Sequence, residues 1–463
     1  MNLLAGADQL PRALLALEDG SCYAGRCCGA EGEAFGELVF NTSMTGYQEI
    51  VTDPSYAGQI VTLTYPQVGN YGVTASDGQA AAPALRALVV RDMCFEPSNW
   101  QSVQSLPDYL RQEGVVAIQG VDTRALTLRV REAGAMRAAV STTDLDPRSL
   151  VARVRASAGI GSHNHVADVS VGERTVLSPL GTAAVRPRRV VAYDCGMKRG
   201  IADVLRARGL ELVVVPWDTP AEKALAQDPD AAFFSNGPGD PQSVGATLEA
   251  MRALLGRLPV FGICLGTQVM ALAAGGSVKK LPYGHHGGNE PVMNLLTGRV
   301  EVTAQNHNYV PDFPSLGPLV PELSGGEARH HDDLRHWSRR RVAPVVANGR
   351  YGRIRLTHVN LNDGSLEGLQ FLDARAFCLQ YHPEAAPGPS DSSYAFDAFR
   401  RLVDGEADYL APAPELAATS PVPAAASHAP EPAAASHAPE PAAASHAPAA
   451  STPAVPAPEG RSL

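Results

Sequence analysis

The stretch PVFGICLGTQVMALAAGG, residues 259–276, sets one cysteine between two glycines where an apolar run changes character. The residues before Cys264 suit a buried strand, and those after it suit a buried helix. A residue at such a joint is held on a sharp, exposed turn that needs small neighbours, and Gly262 and Gly266 supply them. A cysteine at a helix N-terminus also faces the positive end of the helix dipole, which favours the thiolate. The amide of Leu265 would then point at a developing oxyanion. A free cysteine is more often a small buried hydrophobe, so the G-x-C-x-G spacing needs a base to carry a nucleophile reading.

His382, in FCLQYHPEAAPG, is the candidate base. Residues i and i+2 of an extended segment project to one side, so Glu384 can accept from one ring nitrogen while the other faces the thiol. Cys264, His382 and Glu384 then read as nucleophile, general base and acid, and orienting carboxylate. An isolated H-P-E is an ordinary surface loop. Together with the cysteine joint and the glycine turn SNGPGD, it reads as a triad.

These residues need a frame. From residue 188, strand-like runs (RRVVAYDCG, LELVVVPW, DAAFF, PVFGIC) alternate with helix-like ones (RGIADVLRARG, ATLEAMRALLGR, LGTQVMALAAGG). That alternation predicts an α/β fold, an open, mostly parallel sheet with helices on both faces. Ligands of such sheets sit at the carboxyl ends of the strands, where SNGPGD and Cys264 both fall. Residues 1–150 read as an α+β domain, 151–187 as a linker and 188–405 as the α/β domain. Residues 411–463 are rich in Ala, Pro and Ser and repeat PAAASHAPE with a nine-residue period, placing His428, His437 and His446 in step. This composition predicts a disordered tether rather than a metal site.

Composition excludes several classes. The 463-residue chain has a net charge of −10, which argues against a general nucleic-acid binder or an anionic membrane surface as partner. No apolar run is long enough to span a bilayer. The start, MNLLAGADQLPRALLALEDG, lacks a basic n-region. Seven cysteines are too few, and odd in number, for a disulfide framework, so a reducing cytoplasm is expected. No metal site is expected: Cys27-Cys28 has no second pair at zinc spacing, and GHHGG reads as a glycine-bounded loop beside the active site. With no phosphate loop and no dinucleotide fingerprint, the chain is expected to carry no cofactor and no ATP site.

PVFGICLGTQ, SNGPGDP and QYHPEAAPG resemble the class I (triad) glutamine amidotransferases. More closely, the chain is similar to the small, glutamine-hydrolysing subunits of carbamoyl phosphate synthetase. FNTSMTGYQEIVTDPSYAGQIVTLTYPQVGNYG, AYDCGMKRG, YGHHGGNEPV and TAQNHNY extend that likeness from about residue 12 to about residue 405. The resemblance implies glutamine contacts at Ser55, Gly237, Gly239, Leu265, Gln268 and Asn306, with the Gly237 and Leu265 amides as oxyanion hole. The next family contact, a glycine, is Asn308 here, followed by Tyr309 at an aromatic position. Thr267 replaces the usual histidine after the elbow, and Gly200 replaces an asparagine, which implies a weaker helix start there. An insertion after Tyr309, including GGEARHHDDLRHWSRRR, reads as a solvated mixed-charge loop. The resemblance further implies a large partner subunit that uses ATP and bicarbonate and takes ammonia through an internal tunnel. The N-terminal domain would serve mainly to dock it, and the product would feed arginine and pyrimidine synthesis. Three other readings stay open: the glutamine subunit of another amidotransferase such as anthranilate synthase, a non-catalytic regulatory subunit, and a hydrolase working alone.

Overall fold

The run of buried Val, Ala, Phe and Ile in residues 190–263 has no polar face to give to water, so its strands must be covered on both sides. In the computed structural model, which describes residues 10–181 and 187–411, they are. Strands Arg188–Asp194, Leu210–Pro216, Ala231–Phe234, Val260–Ile263 and Ala376–Leu379 pair in parallel and form the centre of an eleven-stranded sheet. One face packs on helices Arg199–Ala207 and Tyr394–Asp404, through Ile201, Leu205, Phe396 and Phe399. The other packs on Gly245–Leu254 and Leu265–Ala273, through Met251, Leu254, Val269 and Met270. Beyond Ala376–Leu379 the sheet continues antiparallel through Leu366–Phe371, Gly352–Asn360, Val278–Asn294 and Arg299–Pro311. The repeat-bearing tail, with His428, His437 and His446, lies outside the described residues.

The N-terminal part, read as α+β, closes a seven-stranded barrel. Its strands include Arg12–Leu17, Glu33–Asn41, Gln59–Leu63 and Met136–Ser141, and Leu15, Leu38, Ile60, Ile118 and Val140 share its core. Helices Leu106–Gln112 and Thr123–Ala133 flank it, each opened by a capping side chain, Ser105 and Asp122.

Two expectations need correction here. Residues 151–187 are not a bare linker: helix Pro147–Ala156 packs Leu150, Val151 and Val154 on barrel residues Leu14 and Ala139, and Thr175–Leu177 adds an antiparallel edge strand to the large sheet. These elements are too short to show a period in sequence. The insertion after Tyr309 is not all solvated loop either. Its second half forms helix Leu334–Arg340, opened by the Asp333 side chain, and Trp337 is fully buried in the main core, with its Nε1 donating to the His330 carbonyl at 2.8 Å. Among the described residues no helix is long and apolar enough to cross a membrane.

Candidate active site

Cys264 ends the strand Val260–Ile263 and caps the helix Leu265–Ala273. Its backbone lies at φ 54°, ψ −103°, a strained left-handed region for a residue with a Cβ. Both neighbouring glycines are sterically required. A Cβ on Gly266 would stand 2.3 Å from the Phe234 carbonyl oxygen, and one on Gly262 would stand 2.9 Å from the Gly266 backbone. Among the described residues no protein acceptor takes the amides of Gly237 or Leu265, so both N–H groups remain available to a ligand oxygen. Thr267 is satisfied locally, its hydroxyl donating to the Leu379 carbonyl at 2.7 Å.

His382 follows the neighbouring parallel strand, Ala376–Leu379, and is held by an isolated bridge to Ala304. Its Nδ1 lies 2.7 Å from Glu384 Oε1. The pairing is as expected but its cause is not. Residues 382–385 turn, with the Ala385 amide donating to the His382 carbonyl, rather than running extended. Both side chains are buried. Burial works to lower the His382 pKa, but the charge of Glu384, the Cys264 thiol and the Glu384 hydrogen bond outweigh it and hold the ring at about 10. Burial likewise works to raise Glu384, and the charges of Lys198 and His382 pull it well below the usual carboxylate range. Among the described residues, the remaining ring nitrogen, Nε2, has no hydrogen-bond partner.

Lys198 was not among the residues singled out, although it stands inside the quoted AYDCGMKRG. Its Nζ is 2.8 Å from Glu384 Oε1 and donates to the Ala385 carbonyl at 2.8 Å, wholly buried. Lys198 and His382 thus meet on the same Glu384 oxygen, and the Cys264 Sγ donates to the Asn306 carbonyl at 3.6 Å. Gly200, two residues on, carries no side chain that would crowd Gln79, whose Oε1 accepts from the Gly200 amide at 3.1 Å. The helix Arg199–Ala207 forms regardless.

Cys264 opens into a narrow cleft of about 20 Å³, and Ser55, Gly237, Gly239, Gln268, Asn306, Asn308 and Tyr309 line it. Leu265, the first helical residue after Cys264, is not among the residues that line the cleft. Gln268 donates to the Tyr309 carbonyl at 2.8 Å, and the Tyr309 hydroxyl reaches Asp240 at 3.4 Å. The Asn308 side chain is occupied at both ends, by His286 Nε2 at 2.9 Å and Glu37 Oε1 at 3.0 Å. GHHGG is not a loop. It lies inside the long strand Val278–Asn294, whose pairing register shifts on either side of it, and this brings His286 to the cleft wall. Asp53 is a second residue that sequence reasoning passed over. Its Oδ1 accepts from the Ser55 amide and its Oδ2 from Asn306 Nδ2, both at 2.9 Å. Asn236 in turn donates to Ser55 Oγ at 2.9 Å.

Residues 15–140 match the family pattern described as carbamoyl-phosphate synthase small chain, CPSase domain. Residues 191–318 and 334–402 match that of glutamine amidotransferase class-I. The chain is 43% identical over 402 residues to the carbamoyl phosphate synthase small chain of Syntrophotalea carbinolica, covering 85% of this chain and 98% of that one. It is 45% identical over 394 residues to the one from Thermotoga maritima, with the same two coverages. A cysteine elbow facing a cleft walled from both the barrel and the sheet is what a chain with these two matched regions has to build, and the chain belongs to the carbamoyl phosphate synthase small chain family.

Proposed function

We propose that this chain hydrolyses the side-chain amide of glutamine at Cys264, His382 and Glu384 and hands the ammonia to a large subunit that uses ATP and bicarbonate. The observation that carries this reading is one joint. A strained cysteine and Gly237 with its free amide line one narrow polar cleft, and the imidazole that Glu384 fixes stands next to that cysteine.

The Cys264 sulfur attacks the carboxamide carbon as the thiolate, its proton already held on the His382 ring. The carbonyl oxygen takes the negative charge against the Gly237 and Leu265 amides. His382 then protonates the departing nitrogen, the C–N bond breaks, and a γ-glutamyl thioester and ammonia remain. Water, giving a proton to His382, attacks the thioester carbon and releases glutamate and the thiol. Each placed proton transfer contributes about 10²–10⁴-fold, and each oxyanion donor on the order of 10²–10³.

Ammonia released into water at neutral pH would be protonated and lose its nucleophilicity. A second cavity of about 20 Å³ is lined by His382 together with Asn41, Ser43, Asp53, Lys198 and Ala385. The delivered nitrogen would enter carbamoyl phosphate for arginine and pyrimidine synthesis.

The test is the purified chain, alone and with its large subunit, as wild type and Cys264→Ser. The expected result is slow hydrolysis alone, marked stimulation by the partner, and loss in the variant of glutamine-dependent but not ammonia-dependent synthesis. Full glutamine use by Cys264→Ser would overturn the assignment.

A further inference from the structure

Residues 141–190 lie between the two family-matched regions. Within them the segment SHNHVADV places three candidate ligands together: His163, His165 and Asp168. His163 Nε2 lies 3.0 and 2.9 Å from the two Asp168 oxygens. His165 Nδ1 lies 3.5 Å from Asp168 Oδ2, and the two rings meet edge to face at 4.9 Å. The His165 side chain is only 7% exposed, and its Nδ1 is shut off from solvent without a hydrogen-bond partner. A buried polar atom left so costs about 1–3 kcal/mol, and this one is aimed into the gap between a carboxylate and another imidazole.

We propose that His163, His165 and Asp168 bind a divalent transition-metal ion of the zinc class, and that the ion governs entry of substrate to the adjoining glutamine cleft. Two imidazoles and a carboxylate are a zinc donor set that leaves the fourth position open. With metal–ligand bonds of about 2.0–2.2 Å, neighbouring donors of a tetrahedral ion stand roughly 3.3–3.5 Å apart. The Asp168 oxygens stand 2.9–3.0 Å from His163 Nε2, Oδ2 stands 3.5 Å from His165 Nδ1, and all three donors lie within 4.8 Å of one another. His163 and Asp168 line a cleft of about 550 Å³ together with Gly58 and Arg86.

The link to the cleft is steric. Ile160, three residues before His163, lines the glutamine cleft. The His165 ring packs so closely on Gly58 that an added Cβ there would stand 2.5 Å from its Nε2, and it also borders Gly239. Fixing this ring fixes the wall that Ile160 and Gly239 share. This second half of the proposal rests on the glutaminase reading, whereas the metal site does not.

The experiment uses the full chain, stripped by chelation and titrated with Zn²⁺ and separately with Co²⁺. His163→Gln and Asp168→Asn remove side chains that are about half exposed (55% and 43%), so the core stays closed. His336→Gln serves as control, because His336 belongs to a different cluster with Glu327 and His330. The expected result is that His163→Gln and Asp168→Asn each weaken one zinc equivalent by at least about 10–100-fold while His336→Gln does not. Cobalt should give a tetrahedral visible spectrum without a thiolate charge-transfer band, which separates this site from Cys264. Zinc should change the KM for glutamine several-fold with little effect on kcat, and not in Asp168→Asn. Equal zinc stoichiometry and affinity in all four proteins, or a thiolate band, overturns the site. Loss of the zinc equivalent with an unchanged KM overturns the coupling. A chain inactive toward glutamine would refute the proposed function while the titration still decided the metal site.

Discussion

Lys198 is paired with the charge of Glu384, and Lys198→Met tests whether the proposed triad depends on that pair. The ammonium and the Glu384 carboxylate form a pair 2.8 Å apart with almost no exposure (3% and 0%). Burial alone would push Glu384 upward, and Lys198 is the strongest influence pulling it down to about 2. Removing one partner of a buried ion pair costs about 3–5 kcal/mol. The protein can relieve that cost by protonating Glu384. At 1.36 kcal/mol per unit, the relief corresponds to a rise of roughly 2–4 pKa units, which places the carboxyl at about 4–6. A protonated Glu384 no longer accepts from His382 Nδ1 and no longer supports the imidazolium. Steady-state glutaminase assays should therefore show the acid limb of kcat moved up to about pH 4–6, with activity lost below that limb and kcat near neutral pH close to wild type. KM should change little, because Lys198 lines the cavity that His382 also lines and not the glutamine cleft. Ammonia-dependent synthesis by the complex should be intact. A folded Lys198→Met chain with an unmoved acid limb would refute the reasoning.

The remaining predictions concern the ring, the elbow, the barrel-side support and the inserted helix. His382 in the folded chain is held above its ordinary value, so its stabilising contribution is complete below about 6.5 and is lost as pH rises through about 10. The alkaline limb of kcat/KM should follow it, and a limb near the ordinary histidine value would contradict the Glu384 pairing. Gly266→Ala puts a Cβ against the Phe234 carbonyl, so the turn must shift; glutaminase activity should fall and the melting temperature drop by the equivalent of about 1–3 kcal/mol. Asp53→Ala removes two buried hydrogen bonds to a carboxylate, each worth about 1.5–3 kcal/mol, and should raise the KM for glutamine roughly 10–100-fold with a smaller effect on kcat. Trp337→Ala leaves a hole in the main core and should cost about 3–5 kcal/mol in thermal unfolding while kcat stays near wild type.

The parallel sheet was legible because continuous apolar strands alternate with amphipathic helices, and its strands and helices lie where that pattern puts them. The elbow was legible because Gly262, Cys264 and Gly266 answer one steric demand that the chain can state locally. What was not legible depends on contacts distant in sequence. Lys198 reads as one lysine at a helix start, and nothing near it shows that Glu384, 186 positions on, lies in its reach. GHHGG reads as a loop because glycines break a strand pattern; the register shifts around it let the strand persist. Trp337 sits among charges whose sequence average hides a single core-facing ring.

The barrel carries more than a docking surface. Ser55 and Gln59 from it line the cleft, and Asp53 spans both parts, holding the Ser55 amide on one side and the Asn306 side chain on the other. Asn236 of the sheet donates to Ser55, and Asn308 donates to Glu37 of a barrel strand. A cleft closed by hydrogen bonds from both parts cannot be complete in either alone. Any tilt of the barrel against the sheet therefore moves Ser55 and Asn306 relative to Cys264. A partner gripping the barrel would in this way reach the sulfur's substrate without touching it, since misplacement of about 1 Å costs on the order of 10²-fold in rate. The stimulation expected from the large subunit then needs no new catalytic group, only a barrel held at one angle.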